Sequence, residues 1–197
     1  MLVECGFVRV TASDGREFTF SPSLGRIAAL ADPRGIISLY GRLFGDGAVK
    51  AAHEVLAGLA DQDDITPLIG EPVATKTGVE FVGGIMPERE RVIIARHLMQ
   101  HGIAGRSRPG AGAEGKFSDR FDASEYVSAA RVHLGLSSAD AEALSMTEFQ
   151  QMLDMKFPQM KAAELPTEDE YFAAMEAADA FIARVNARAA AQGPTNG

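Results

Sequence analysis

The glycine-rich segment at residues 105–121 limits what this chain can fold into more than any other feature. It reads GRSRPGAGAEGKFSDRF and combines repeated glycines with a proline and with charges of both signs. Glycine and proline interrupt regular structure, and the segment lacks the apolar periodicity of a helix or a strand. We therefore predict a flexible linker or exposed loop that separates two halves of the chain.

The first half has the pattern of a β-hairpin followed by helices. Val3, Cys5 and Phe7 alternate on one face of a predicted first strand, and Phe18 and Phe20 repeat this period after Asp14-Gly15, a dipeptide that suits a tight hairpin turn. Apolar residues at steps of three and four then predict short helices, the first of them starting at Ser21, and residues 61–72 read as a turn or loop. A short strand around Val79 and Phe81 leads to a further helix that starts at Pro87 and stops at Gly102. A lone hairpin is marginal in water, so this one is expected to pack on helices.

The second half reads as helical throughout. Three pairs at capping-box spacing, each three residues apart, mark helix starts at Asp122, Ser145 and Thr167, and the first of these helices is expected to stop at Gly135. The predicted fold is α+β and mostly helical. It consists of a hairpin-plus-helices domain at 1–104, a linker at 105–121, a small helical subdomain at 122–191 and a disordered tail at 192–197.

Composition restricts the classes of function. The net charge is -8 and is spread over both halves, which argues against the basic surface that nucleic-acid binding requires. The single Cys5 forms no disulfide framework, and no window is apolar enough for a membrane span or a signal peptide. We expect a soluble cytoplasmic protein that contacts neither nucleic acid nor membrane.

The candidates for chemistry are weak. His97 and His101 have a zinc-chelating spacing, but Leu98 occupies the position of the glutamate that zinc hydrolases need, and no third ligand is evident. They are better explained as two polar-face histidines near a helix end, with His53 and His133 as isolated residues. The acidic run at Asp61, Asp63 and Asp64 does not fit a calcium loop. The sequence predicts no enzyme, no metal and no cofactor.

Amphipathic helices in the second half are the more informative feature. Most of their apolar residues are expected to form an internal core. The roughly 75 residues beyond the glycine-rich segment are few for an autonomous core, however, and methionine-bearing faces adapt well to partner proteins. We therefore predict a partner-binding surface made of Met146, Phe149, Met152, Leu153, Phe157, Tyr171, Met175 and Ile182.

The segment ARVHLGLSSADAEALSMTEFQQMLDMKFP carries a family resemblance. A helix, then LGLS with acidic residues, then a helix start that reads MTEF in this chain resembles the C-terminal region of tail assembly chaperones of long-tailed phages. In this chain the matching positions are Leu134–Ser137, Asp140, Met146–Phe149 and Leu153. The run IIARHLMQHGIAG is similar to proteins of phage and prophage tail gene clusters.

The resemblance implies a non-catalytic protein of the host cytoplasm that keeps tape-measure protein soluble and helps to recruit tail-tube subunits. It leaves homo-oligomerisation open. Two alternatives remain at this stage. One is a structural component of the virion, such as a connector or minor tail protein, and the other is a phage-encoded inhibitor of a host protein.

Overall fold

A computed structural model describes residues 3–76, 78–105 and 119–158 of the chain. These residues lie in one compact unit that extends from Met1 to Lys161. The predicted α+β class, mostly helical and with an N-terminal hairpin on helices, is confirmed. No helix among the described residues is long and apolar enough to cross a membrane.

The N-terminal hairpin consists of β1 (Val8–Thr11) and β2 (Glu17–Phe20). The strands are antiparallel, with Val8 opposite Phe20 and Val10 opposite Phe18. Both phenylalanines are buried, so this face of the hairpin packs on the helices. A 3₁₀ turn occupies Val3–Cys5, where the alternating pattern had predicted an extension of the first strand.

Four helices follow the hairpin. They are α1 (Leu24–Leu30), α2 (Pro33–Arg42), α3 (Ala48–Leu59) and the short α4 (Thr66–Ile69). The predicted start of α1 at Ser21 is wrong by two residues, because the side chain of Ser23 accepts the capping hydrogen bond from the backbone of Arg26. The loop predicted around residues 61–72 contains α4 instead.

A second antiparallel hairpin consists of β3 (Glu71–Thr75) and β4 (Gly78–Val82). It leads into α5 (Glu88–Met99), which begins after Pro87 as predicted. The helix then widens into a π-helical turn over Gln100–Ala104 and ends at Gly105, whose φ of +72° favours glycine. The predicted stop at Gly102 is therefore three residues too early.

The remaining described helices are α6 (Ala123–Ala129), α7 (Ser138–Ala143) and α8 (Met146–Lys156). A π-helical turn over Ala130–Leu134 follows α6 and ends at Gly135 as predicted. The capping box at Ser145 and Glu148 is confirmed by both of its hydrogen bonds.

The core joins the elements on both sides of the glycine-rich segment. Ile27 of α1, Leu56 of α3 and Leu98 of α5 are buried in the same apolar cluster as Ala141 and Met146 of the later helices. The backbone of Leu24 also donates a hydrogen bond of 2.8 Å to the carbonyl of Leu144. Elements on both sides of the boundary predicted at residues 105–121 therefore share one core.

Candidate functional site

An open groove lies between α2, the π-helical end of α5 and the start of α6. Its volume is about 660 Å³, which is in the range of binding pockets. Ile37, Tyr40 and Gly41 of α2 line it together with Phe44, which lies two residues after the end of that helix. The three helical positions are three and four residues apart, so they form one partly exposed stripe on which Ile37 and Tyr40 are half-buried and Gly41 is exposed. The adjacent stripe, with Ile36, Leu39 and the C-cap residue Leu43, is buried in the core.

Phe44 is the most exposed aromatic contact in this groove, with 59% of its surface accessible. Its ring is nevertheless held in place by two neighbours. The guanidinium of Arg96 lies 4.6 Å from the ring centroid, and the ring of Tyr40 meets it edge to face at 5.3 Å. Arg96 is itself fixed by hydrogen bonds of 3.0 and 2.7 Å to the carbonyl of Leu43. An exposed apolar ring is thus presented in a defined orientation.

Gly41 forms an open part of the α2 wall. A Cβ atom built on this residue would meet no other atom within 4 Å, and its φ does not lie in the left-handed range. Neither the backbone conformation nor the packing of the described residues explains a glycine here. In a helix, glycine is destabilising by roughly 0.5–1 kcal/mol relative to alanine.

The opposite wall is formed by Phe121 and Tyr126. Their rings are stacked with centroids 5.2 Å apart, and the backbone N–H of Phe121 donates a hydrogen bond of 2.8 Å to the carbonyl of Pro33. Tyr126 also meets the ring of Phe149 edge to face at 5.9 Å. Because Phe149 is only 4% exposed, it supports the wall from inside the core.

Charged residues border the groove beside Phe121. Arg120 and Glu125 form an exposed ion pair of 3.4 Å, and Asp122 caps α6. The hydroxyl of Ser124 donates a hydrogen bond of 2.6 Å to the Asp122 carboxylate, and this bond lowers the pKa of that group from its ordinary value. The carboxylate is therefore charged at neutral pH and bonded to its own helix, so the aromatic surface is the part of the groove available for contact.

The residues predicted as a partner surface are distributed differently. Met146 and Phe149 are buried in the core, and Met152 and Leu153 are half-buried on α8. Phe157 is exposed at the end of the described chain, 6.2 Å from the ring of His133. Tyr171, Met175, Ile182 and the cap predicted at Thr167 lie outside the described residues, as do the tail and the part of the predicted subdomain that follows residue 158.

The histidines are less exposed than the sequence suggested. The rings of His97 and His101 are 4.5 Å apart, and Nδ1 of His101 lies 2.8 Å from the hydroxyl of the buried Thr147. Nε2 of His97 is buried and has no hydrogen-bond partner among the described residues, and burial lowers the pKa of this imidazole. Among residues 3–76, 78–105 and 119–158, no group of three or more His, Cys, Asp or Glu residues has a metal-binding arrangement.

His53 is packed against the second hairpin. Its ring stacks on the ring of Phe81 with centroids 4.2 Å apart. The guanidinium of the buried Arg91 lies 5.5 Å from the centroid of the same Phe81 ring. Burial and the charge of Arg91 lower the pKa of His53. This cluster attaches β4 to α3 and α5.

The exposed stripe of α2 was missed by reasoning from sequence. Its signal is present, because ISLYGRLFG places apolar residues on two adjacent faces of one short helix. One apolar face is enough for a helix to pack on the core, so the second apolar face is available for another contact. Only the structure shows which of the two is covered.

Comparisons with known proteins match this chain to one family model. Neither curated proteins nor solved structures yield a match. A protein-family model matches residues 35–173, which include α2 from Gly35 onward, both groove walls and α8. The match covers more than half of the 197 residues. The chain therefore belongs to the family of unknown function DUF6246.

Proposed function

We propose that this protein is a non-catalytic adaptor that binds an apolar helical segment of another protein in the groove between α2 and α6. We further propose that it acts in the host cytoplasm as a tail assembly chaperone of a long-tailed phage, with tape-measure protein or tail-tube subunits as partners. The groove supports the first proposal, and the resemblance of the segment around Leu134–Phe149 supports the second.

The observation that carries the proposal is the pairing of Gly41 with Phe44. The glycine has no steric role within the described residues, yet it keeps the groove open next to an oriented aromatic ring. A missing side chain at this position favours a partner that approaches α2 closely. Helices that pack at short distances use small residues for this purpose, and aromatic residues in pockets contribute much of the energy of protein interfaces.

The shape and lining of the groove favour a helix as the occupant. The walls are aromatic and aliphatic, and the charged groups at the edge are already paired or capping. An amphipathic helix that places apolar residues at steps of three and four into such a groove is a common recognition mode. Weak contacts of this kind, repeated along a long partner, would keep it soluble through avidity.

The experiment is co-expression with a tape-measure protein from the same gene cluster. Gly41→Trp directs a large side chain into the groove from a position where the added Cβ meets no other atom within 4 Å, and we expect the soluble fraction of tape-measure protein to fall to the level seen without the adaptor. Ala139→Trp adds the same side chain to the exposed surface of α7 and is the matched control. It should leave solubility unchanged.

The two parts of the proposal fail separately. If the original chain does not raise the solubility of tape-measure protein, the assignment to tail assembly is wrong. If the chain does so but Gly41→Trp retains full activity, the groove is not the binding site. Mass spectrometry of purified particles adds a further test, since a stoichiometric amount of the protein in virions would contradict a chaperone that leaves before assembly ends.

A further inference from the structure

The second hairpin carries a surface that the groove does not explain. β3 and β4 pair only with each other among the described residues. A two-stranded sheet is marginally stable in water, and this one is held to the body on one side through Phe81. The other side faces solvent.

The solvent-facing side has a regular pattern. The register places Glu71 opposite Val82 and Val73 opposite Glu80, so acids and valines alternate across the two strands. Val73 is 43% exposed and Val82 is 56% exposed. Neither Glu71 nor Glu80 forms an ion pair or side-chain hydrogen bond with another described residue. The surface therefore offers apolar contact beside two carboxylates that form no ion pair with a described residue.

The free edge of β4 determines what can be added. Pro72 in β3 has no N–H group, so the edge of that strand is a poor template for pairing. β4 contains no proline. A second copy of the chain could pair its own β4 antiparallel to this one. Pairing about the centre of the strand would then place the two Glu80 carboxylates directly opposite each other, and this repulsion between like charges is unfavourable.

We propose that β4 takes up an extended segment of a partner protein that has a basic residue beside Glu80 and β-branched residues beside Val82. The added strand would bond to the free backbone edge, and its basic side chain would face the Glu80 carboxylate on the outer side. This contact is independent of the groove and would give the protein a second partner-binding surface.

The test is a titration of the isotope-labelled full chain, followed by nuclear magnetic resonance. The probe is the capped peptide Val-Thr-Lys-Thr-Val, whose symmetric sequence fits either strand direction, and the control is Val-Thr-Glu-Thr-Val. We expect the lysine peptide to shift the amide signals of residues 78–82 and to bind about tenfold more tightly than the glutamate peptide. In Glu80→Lys this preference should be reversed.

A matched variant separates local pairing from general attraction between charges. Glu142→Lys changes the net charge by the same amount on the exposed surface of α7 and should keep the preference of the original chain. Charged residues on edge strands also serve to prevent association. Absence of shifts in β4 with both peptides, or equal binding of the two, would show that Glu80 has only this protective role and would overturn the proposal.

Discussion

Gly41→Ala provides a sharp test of the view that this glycine serves binding rather than folding. The added Cβ would meet nothing within 4 Å, and the residue lies inside α2 without a positive φ. Alanine should therefore recover the helical propensity that glycine forfeits, which is about 0.5–1 kcal/mol. For a protein of this size, that gain raises the midpoint of thermal unfolding by about 1–4 °C.

Gly35 in the same helix is the matched control. A Cβ there would lie 2.8 Å from Cβ of Ala31, well inside the roughly 3.5–4.0 Å at which carbon atoms attract each other. The Ala31 methyl group cannot rotate away. Crowding of this kind costs roughly 1–3 kcal/mol, which exceeds the gain in propensity, so Gly35→Ala should lower the midpoint.

Calorimetry of the two variants and the original chain measures both effects. We expect the midpoints of thermal unfolding of the two variants to shift in opposite directions. We also expect Gly41→Ala, the more stable variant, to bind the partner more weakly than the original chain does. Stabilising changes that reduce activity are typical of binding and catalytic sites. A lowered midpoint for Gly41→Ala, or shifts in the same direction for the two variants, would refute the reasoning.

Two further predictions concern the core and the histidines. Phe149→Ala removes a buried ring that supports Tyr126, so it should lower the free energy of unfolding by about 3–5 kcal/mol. Urea denaturation measures this loss. An unchanged free energy of unfolding would mean that Phe149 is available for partners instead. Burial lowers the pKa of His97 below its ordinary value of 6.5, so its contribution to stability is complete above that pH and declines as pH falls below it, where the unfolded state binds the proton more readily. His97→Gln should therefore reduce the loss of stability over this range, and an identical loss in both proteins would contradict the assignment.

Local signals in the sequence predicted much of the fold. The turn at Asp14-Gly15, the cap at Ser145 and the start of α5 after Pro87 depend on neighbouring residues, and they appear where expected. The end of α5 was misplaced because Gly102 is tolerated within a π-helical turn, packed against Ile27 and Pro22. That contact comes from distant parts of the chain and leaves no local trace.

The candidate site was harder to predict for the same reason. The apolar stripe of α8 has the period of a binding helix, but Phe149 packs into the core that α1 and α6 share. Helical periodicity identifies an apolar face and does not identify its neighbour. The groove depends on Phe121 and Tyr126 folding back onto α2 from beyond residue 118, and no pattern within one element encodes that approach.

Site-specific photocrosslinking measures the central claim most directly, which is that the partner protein lies in the groove. A benzophenone amino acid replaces Phe44 in one variant and Ala139 in the other, and each is co-expressed with tape-measure protein and irradiated. The account predicts a crosslinked product from position 44, with its attachment in an apolar helical segment of the tape-measure protein, and none from position 139. Equal crosslinking from both positions, or none from position 44 while the partner remains soluble, would contradict it.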